Sequence, residues 1–173
     1  MNTEKPNVGL VILITAVIVG GGVYYFTTGA KNLDTNNAVQ TTSTPNQTSK
    51  EYAVMGRQLW SAFQCASWAS VTGDSEEQER LFLFGYAQGK TFLEALNSEK
   101  IQRDDISENV PIVVTMLLQG PTEEFILGRL FENAQDSALK DVFQTGNEYN
   151  SESLREIIAG NKYRESNCQL IGE

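Results

Sequence analysis

The side chains best suited to chemistry in this chain are two cysteines and several groups of carboxylates. No histidine occurs among its 173 residues, which removes the commonest general base and the commonest metal ligand together. Zinc sites, Ser-His-Asp triads and Cys-His dyads are therefore excluded within this chain. Glycine-rich phosphate loops, Walker sequences, GxSxG and EF-hand loops are absent as well. Glu76, Glu77 and Glu79 follow Ser75 at a helix start, where the positive end of the helix dipole accounts for them better than a catalytic or calcium cluster does. No catalytic, cofactor-binding or metal-binding residue is assigned on these grounds.

Two further carboxylate groups need weighing. Glu132 and Asp141 have the spacing of the membrane-tethered muralytic enzymes of phages, whose pattern then requires Thr at position 147, and this chain has Asn147. Paired carboxylates alone suffice to cleave a glycosidic bond, but no spacing here sets two of them across a cleft, so an unrecognised hydrolase is only a third reading. Asp104, Asp105 and Glu108 cluster in the polar stretch 100–109. They are read either as part of a partner surface or as solvated loop charge.

Charge narrows the partners. The formal net charge is −9, with a sequence pI near 4.6. Glu4, Lys5, Lys31 and Asp34 cancel, so the whole excess lies in residues 50–173, with 11 basic and 20 acidic side chains. Such a domain repels phosphate backbones and anionic headgroups, which argues against nucleic acid.

The elements that must position these residues begin with an apolar run. Residues 6–30 hold no charged side chain, and Val8–Phe26 is nearly unbroken apolar sequence. At 1.5 Å per residue it spans roughly 28 Å, about the hydrocarbon thickness of a bilayer, and it ends in the aromatic group Tyr24, Tyr25 and Phe26. Residues 1–30 are expected to form a single-pass inner-membrane anchor, the alternative being a signal peptide cleaved after Thr28-Gly29-Ala30. Gly20, Gly21 and Gly22 suit either close helix packing in lipid or plain lipid exposure. Residues 31–49 lack large apolar side chains and read as a flexible tether with a reach of roughly 25 Å. The acidic bulk and the cysteines favour an exported domain over residues 50–173, in the periplasm or outside.

That domain reads as all-α, a bundle of about five helices. Thr48-Ser49-Lys50-Glu51 is a capping-box pattern, and Tyr52, Met55, Leu59, Phe63 (or Ala62) and Ala66 then recur at helical spacing to about Val71. Trp60 and Trp68 lie on this helix, as core residues or as anchors of a partner surface. Ser75 with Gln78 is expected to open a second helix to about Asn97. Its segment 81–96 is apolar around most of its circumference, the mark of a central buried helix. Gly85 and Gly89, four apart on one face, allow another helix to approach closely. A polar connection follows, then a helix over 110–118 with Pro111 in its first turn. Another helix starts at Pro121-Thr122-Glu123-Glu124 and carries Leu127, Phe131 (or Leu130), Ala134, Ala138 and Val142, with a break near Asp136. Residues 144–150 read as a polar turn with no hairpin signal. The last helix starts near Ser151 or Ser153, with Glu156 in capping-box position, and carries Leu154, Ile157, Ile158 and Tyr163.

Cys65 and Cys168 make an even count, and in an oxidising compartment they are expected to form one disulfide. Cys65 on the first helix, the segment Phe84-Gly85-Tyr86-Ala87-Gln88-Gly89, and Leu117–Phe125 leading to Asn133-Ala134 together resemble the layout of the Rap/Tai immunity family, as does Cys168 near the end. The resemblance spans roughly residues 59–168. It implies a small, exported, disulfide-bonded helical protein that neutralises a peptidoglycan-attacking effector of type VI secretion. This chain departs from the family at Phe84 and at Asn167-Cys168, where members carry Cys and Pro-Cys, so one disulfide of the family is missing.

The leading expectation is thus a tethered, exported protein-binding module, not an enzyme, whose partner is a basic toxin or an envelope protein. The alternative is an accessory subunit of an envelope membrane complex that acts through its anchor helix.

Overall fold

The computed structural model describes residues 47–173; the anchor expected at 8–26 and most of the tether lie outside them. Among the described residues no helix is long and apolar enough to cross a membrane.

Helix α1 spans Ser49–Val71. The Thr48 hydroxyl accepts from the Glu51 amide at 3.3 Å, and the Thr48 amide donates to the Glu51 carboxylate at 2.6 Å, the capping box read from the sequence. Helix α2, Ser75–Asn97, is capped by Asp74, which accepts from the Glu77 amide at 3.1 Å. The cap thus falls one residue before Ser75, since a carboxylate is an equally good N-cap with the helix dipole behind it.

The centre of the bundle is α1, not the apolar segment 81–96 of α2. Eleven of the 23 residues of α1 are buried, against six of 23 in α2, and α1 packs against α2, α3, α5 and α6. Small residues explain this: Ala53, Gly56, Ala62, Ala66 and Ala69 let neighbours close on α1 from several sides, whereas Leu83 of α2 is 55% exposed.

The stretch read as a polar connection contains helix α3, Arg103–Asn109. Its acids Asp104 and Asp105 occupy the first turn, so they sit on a helix and not in a loop. Helix α4 covers only Ile112–Met116, with Pro111 as its N-cap and not inside its first turn. Helix α5, Glu123–Phe143, is capped by Thr122 and runs unbroken past Asp136.

Residues 144–150 correct the expectation of a plain turn. Gln144–Thr145 (β1) and Glu148–Tyr149 (β2) pair antiparallel, Gln144 opposite Tyr149, around Gly146 at φ +62. The Gly146-Asn147 pair is a hairpin signal of ordinary strength, too brief here to carry an apolar alternation. Helix α6, Glu152–Glu165, is capped by Ser151, which accepts from Leu154 N, so Ser153 and Glu156 form no capping box. A 3-10 turn, Cys168–Leu170, ends the described elements.

Two buried clusters result. The first unites Leu59, Trp60, Phe63, Phe92, Leu127 and Leu130, and the second Cys65, Trp68, Leu81, Val142, Ala159 and Cys168. One end of the bundle gathers the start of α1, the end of α2, α3 and the start of α5: Gln102 N donates to Ser49 Oγ at 2.7 Å, and Asn97 Nδ2 to Glu123 Oε1 at 3.2 Å. The opposite end gathers the end of α1, the hairpin, α6 and the 3-10 turn.

Candidate protein-binding surface

The end where the tether joins α1 carries the acids singled out in the sequence. Asp105 accepts a hydrogen bond from the Ser49 hydroxyl; its role is to dock α3 on the first turn of α1. Asp104 and Glu108 are exposed and four apart, hence on one face of α3. The acidic cluster is therefore divided between one structural and two free carboxylates.

Immediately after α3, Val110 and Val114 enter the core at 7% and 0% exposure and fix α4 against it. Their partners in the run point outward. Ile112 is 77% exposed and Met116 70%, four apart on a five-residue helix. Phe125, at the start of α5, is half exposed, and the Arg129 guanidinium lies 5.8 Å from its ring centre. Arg129 also donates to the Gln119 carbonyl, which closes the connection between α4 and α5. Large apolar side chains left exposed on a short helix make a surface suited to contact with another protein.

Sequence reasoning missed Ile112 and Met116. An unbroken apolar run reads as core, and only the shortness of α4, bounded by Pro111 and by the Gly120-Pro121 turn, leaves two of its large side chains in solvent.

Trp60 and Trp68 do not belong to such a surface. Both are 8% exposed, and Trp68 Nε1 donates to the Ala138 carbonyl at 2.9 Å, which ties α1 to α5. They take the core role, as large buried aromatics usually do. Gly85 and Gly89 are buried in the seam of α2 with α1 and α5: an added Cβ would lie 2.8 Å from Phe63 at the first and 2.4 Å from Leu127 at the second.

Cys65 and Cys168 form the expected disulfide, with Cα atoms 5.6 Å apart. Around it a polar clamp holds the tail. Arg80 donates to Glu77 at 2.7 and 2.9 Å and to the carbonyls of Ile171 and Cys168, while the Tyr163 hydroxyl donates to Glu77. The bonds from Arg80 first, and from Tyr163 second, hold the Glu77 carboxyl down to about 2. Burial, then the bond to Glu77, pushes the Tyr163 phenol up to about 12.

A depressed carboxyl stabilises the fold fully above its unfolded value of 4.5 and loses that contribution as pH falls through about 2. The Arg80 and Glu77 side chains are 34% and 28% exposed, and solvent screening leaves roughly 1 kcal/mol for the pair. Glu77→Gln is expected to unfold at lower urea than the parent at neutral pH and to converge with it near pH 2. Parallel midpoints across that window would show that Glu77 does not carry the clamp.

No group of three or more Cys, Asp or Glu side chains among the described residues is arranged to hold a metal ion. Glu132 and Asp141 both lie on α5, about 13 Å apart along its axis, and Asp141 is ion-paired to Lys162 at 3.7 Å. They do not converge on a common point.

No protein-family model matches the chain, and no curated protein or solved structure is significantly similar to it.

Proposed function

We propose that this protein is a membrane-anchored, exported helical module that captures a protein partner. On this reading the partner is a basic toxin or cell-wall enzyme, neutralised as the resemblance to the Rap/Tai immunity proteins implies. The observation that carries the reading is the exposure of Ile112 and Met116 on α4, the short helix that follows α3 and its exposed carboxylates Asp104 and Glu108 in the chain. Two apolar anchors supply contact energy, and the acids, within a chain of net charge −9, favour a basic partner and speed its approach. A buried Cys65–Cys168 disulfide fits an oxidising compartment.

The test is capture from detergent-solubilised membranes with the full chain and with the Ile112→Asp/Met116→Asp double variant. Both positions are solvent-exposed, so the variant is expected to keep the melting temperature. A basic partner is expected to be retained by the parent, released by salt and, once purified, bound about thirtyfold more weakly by the double variant, the loss of one strong interface anchor. Recovery of integral membrane proteins alone, bound equally by both chains, would overturn the reading in favour of an accessory subunit acting through its anchor.

A further inference from the structure

Met116 stands apart among the sulfur-bearing side chains. The chain has two cysteines and three methionines. Both cysteines are committed to the Cys65–Cys168 disulfide, so no thiol competes for a two-electron oxidant, and the reduced sulfurs are the thioethers of Met1, Met55 and Met116. Met1 lies outside the described residues. Met55, on α1, packs against the first buried cluster. Met116 belongs to neither cluster and is 70% exposed. Thioether oxidation follows exposure, and a small oxidant reaches this sulfur without any opening of the fold.

Its place on α4 decides what oxidation does there. The helix is held through Val110 and Val114, with Val113 and Leu117 packed against the same cluster. Leu117 N donates to the Val114 carbonyl at 3.0 Å, and Thr115 Oγ1 to the Ile112 carbonyl at 2.7 Å. None of these contacts uses the Met116 thioether, so a polar group at that position leaves the fold as it is. The surface, in contrast, changes character. Ile112 and Met116 are the two large apolar side chains that α4 exposes. A sulfoxide puts a strong hydrogen-bond acceptor on one of them, and burying that oxygen under a partner without a donor is unfavourable.

We propose that Met116 is an oxidation site whose conversion to the sulfoxide switches off partner binding at the α4 surface. The switching rests on the protein-binding reading of that surface, whereas the oxidation site does not. The oxidant is hydrogen peroxide, in keeping with a compartment in which the disulfide stays formed. The thioether sulfur attacks one peroxide oxygen, an S–O bond forms as the O–O bond breaks, and sulfur is oxidised by two electrons. The departing hydroxide takes the proton of the transferred oxygen and leaves as water. Methionine sulfoxide reductases return the thioether.

Brief peroxide treatment of the detergent-solubilised full chain tests both parts, read by peptide mass spectrometry and by affinity for the basic protein that the untreated chain captures from membranes. In the folded chain Met116 is expected to gain one oxygen well ahead of Met55, with unchanged melting temperature, and in urea the two should react at similar rates. The treated parent and a treated Met55→Leu chain should each bind about tenfold more weakly than before treatment, the loss expected when one apolar contact turns polar. Peroxide should leave the affinity of a Met116→Leu chain wherever that chain started. Oxidation of Met55 as fast as Met116 in the folded chain would overturn the site. An equal loss in the treated Met116→Leu chain, or no loss in a parent fully oxidised at Met116, would overturn the switch. Failure to capture any basic protein would remove the binding reading and the switch with it, while the mass spectrometry still decides the site.

Discussion

Replacing Cys65 and Cys168 together by alanine is expected to lower the unfolding free energy by about 3 kcal/mol, a large part of the roughly 5–15 kcal/mol available to a domain. The two cysteines are 103 residues apart, and for a loop of that size the chain-entropy model assigns about 4.7 kcal/mol to the cross-link. The expected effect is smaller because part of the tail's order survives without the bond. Arg80 still reaches the carbonyls of Cys168 and Ile171, and Gly172 still lies on Phe84. Working in the other direction, both cysteines are essentially inaccessible, at 1% and 0% exposure, so alanine leaves a small void in the second buried cluster. Urea unfolding of the oxidised parent and the double variant gives the difference directly, and a Cys168→Ser chain should migrate differently from the parent on a non-reducing gel. Unfolding free energies equal to within about 0.5 kcal/mol would mean that the compact denatured chain already holds the tail near α1, leaving the cross-link little to constrain.

What the sequence made legible follows from where the physics is local. The Thr48–Glu51 capping box acts over one turn, and it appears as read. The stripe Leu59, Phe63 and Ala66 is likewise a local periodicity, and all three residues are buried. Helix α3 was hidden because seven residues, RDDISEN, contain a single large apolar side chain and show no period; tertiary docking through Ser49 and Asp105 makes it a helix. The centre of the bundle was misplaced from α1 to α2 for a related reason. Hydrophobicity measures what a residue gains by burial, whereas alanine and glycine set how many neighbours can close in. The candidate surface was least legible, since it depends on how the segment packs. Ile112 and Met116 stand out only once Val110 and Val114 are seen to anchor α4.

Gly85 is expected to be the least replaceable glycine of the bundle, although the shorter predicted clash is at Gly89. A Cβ at Gly85 would lie 2.8 and 2.9 Å from the Phe63 ring and 3.1 Å from the Ala62 Cβ. Phe63 is fully buried. Its ring stacks on Phe82 at 5.8 Å and meets Phe131 edge-on at 5.3 Å, so it cannot yield without displacing two other rings. At Gly89 the 2.4 Å contact is with Leu127 Cδ2, one terminal methyl and not a ring, and the next side chain lies at 3.6 Å. Alanine at either position gains about 1 kcal/mol in helix propensity. Against overpacking of about 1–3 kcal/mol, that gain leaves Gly89→Ala near neutral and Gly85→Ala destabilised by about 1 kcal/mol. Leucine removes the ambiguity: Gly85→Leu should cost about 3 kcal/mol or more and Gly89→Leu about 2 kcal/mol. Urea midpoints of the four variants test the order as well as the sizes, and a Gly85 pair more stable than the Gly89 pair would show that the Phe63, Phe82 and Phe131 rings are not a rigid wall. Should Gly85→Leu instead abolish partner capture at unchanged melting temperature, the face would be a binding site, because a packing seam cannot be filled without loss of stability.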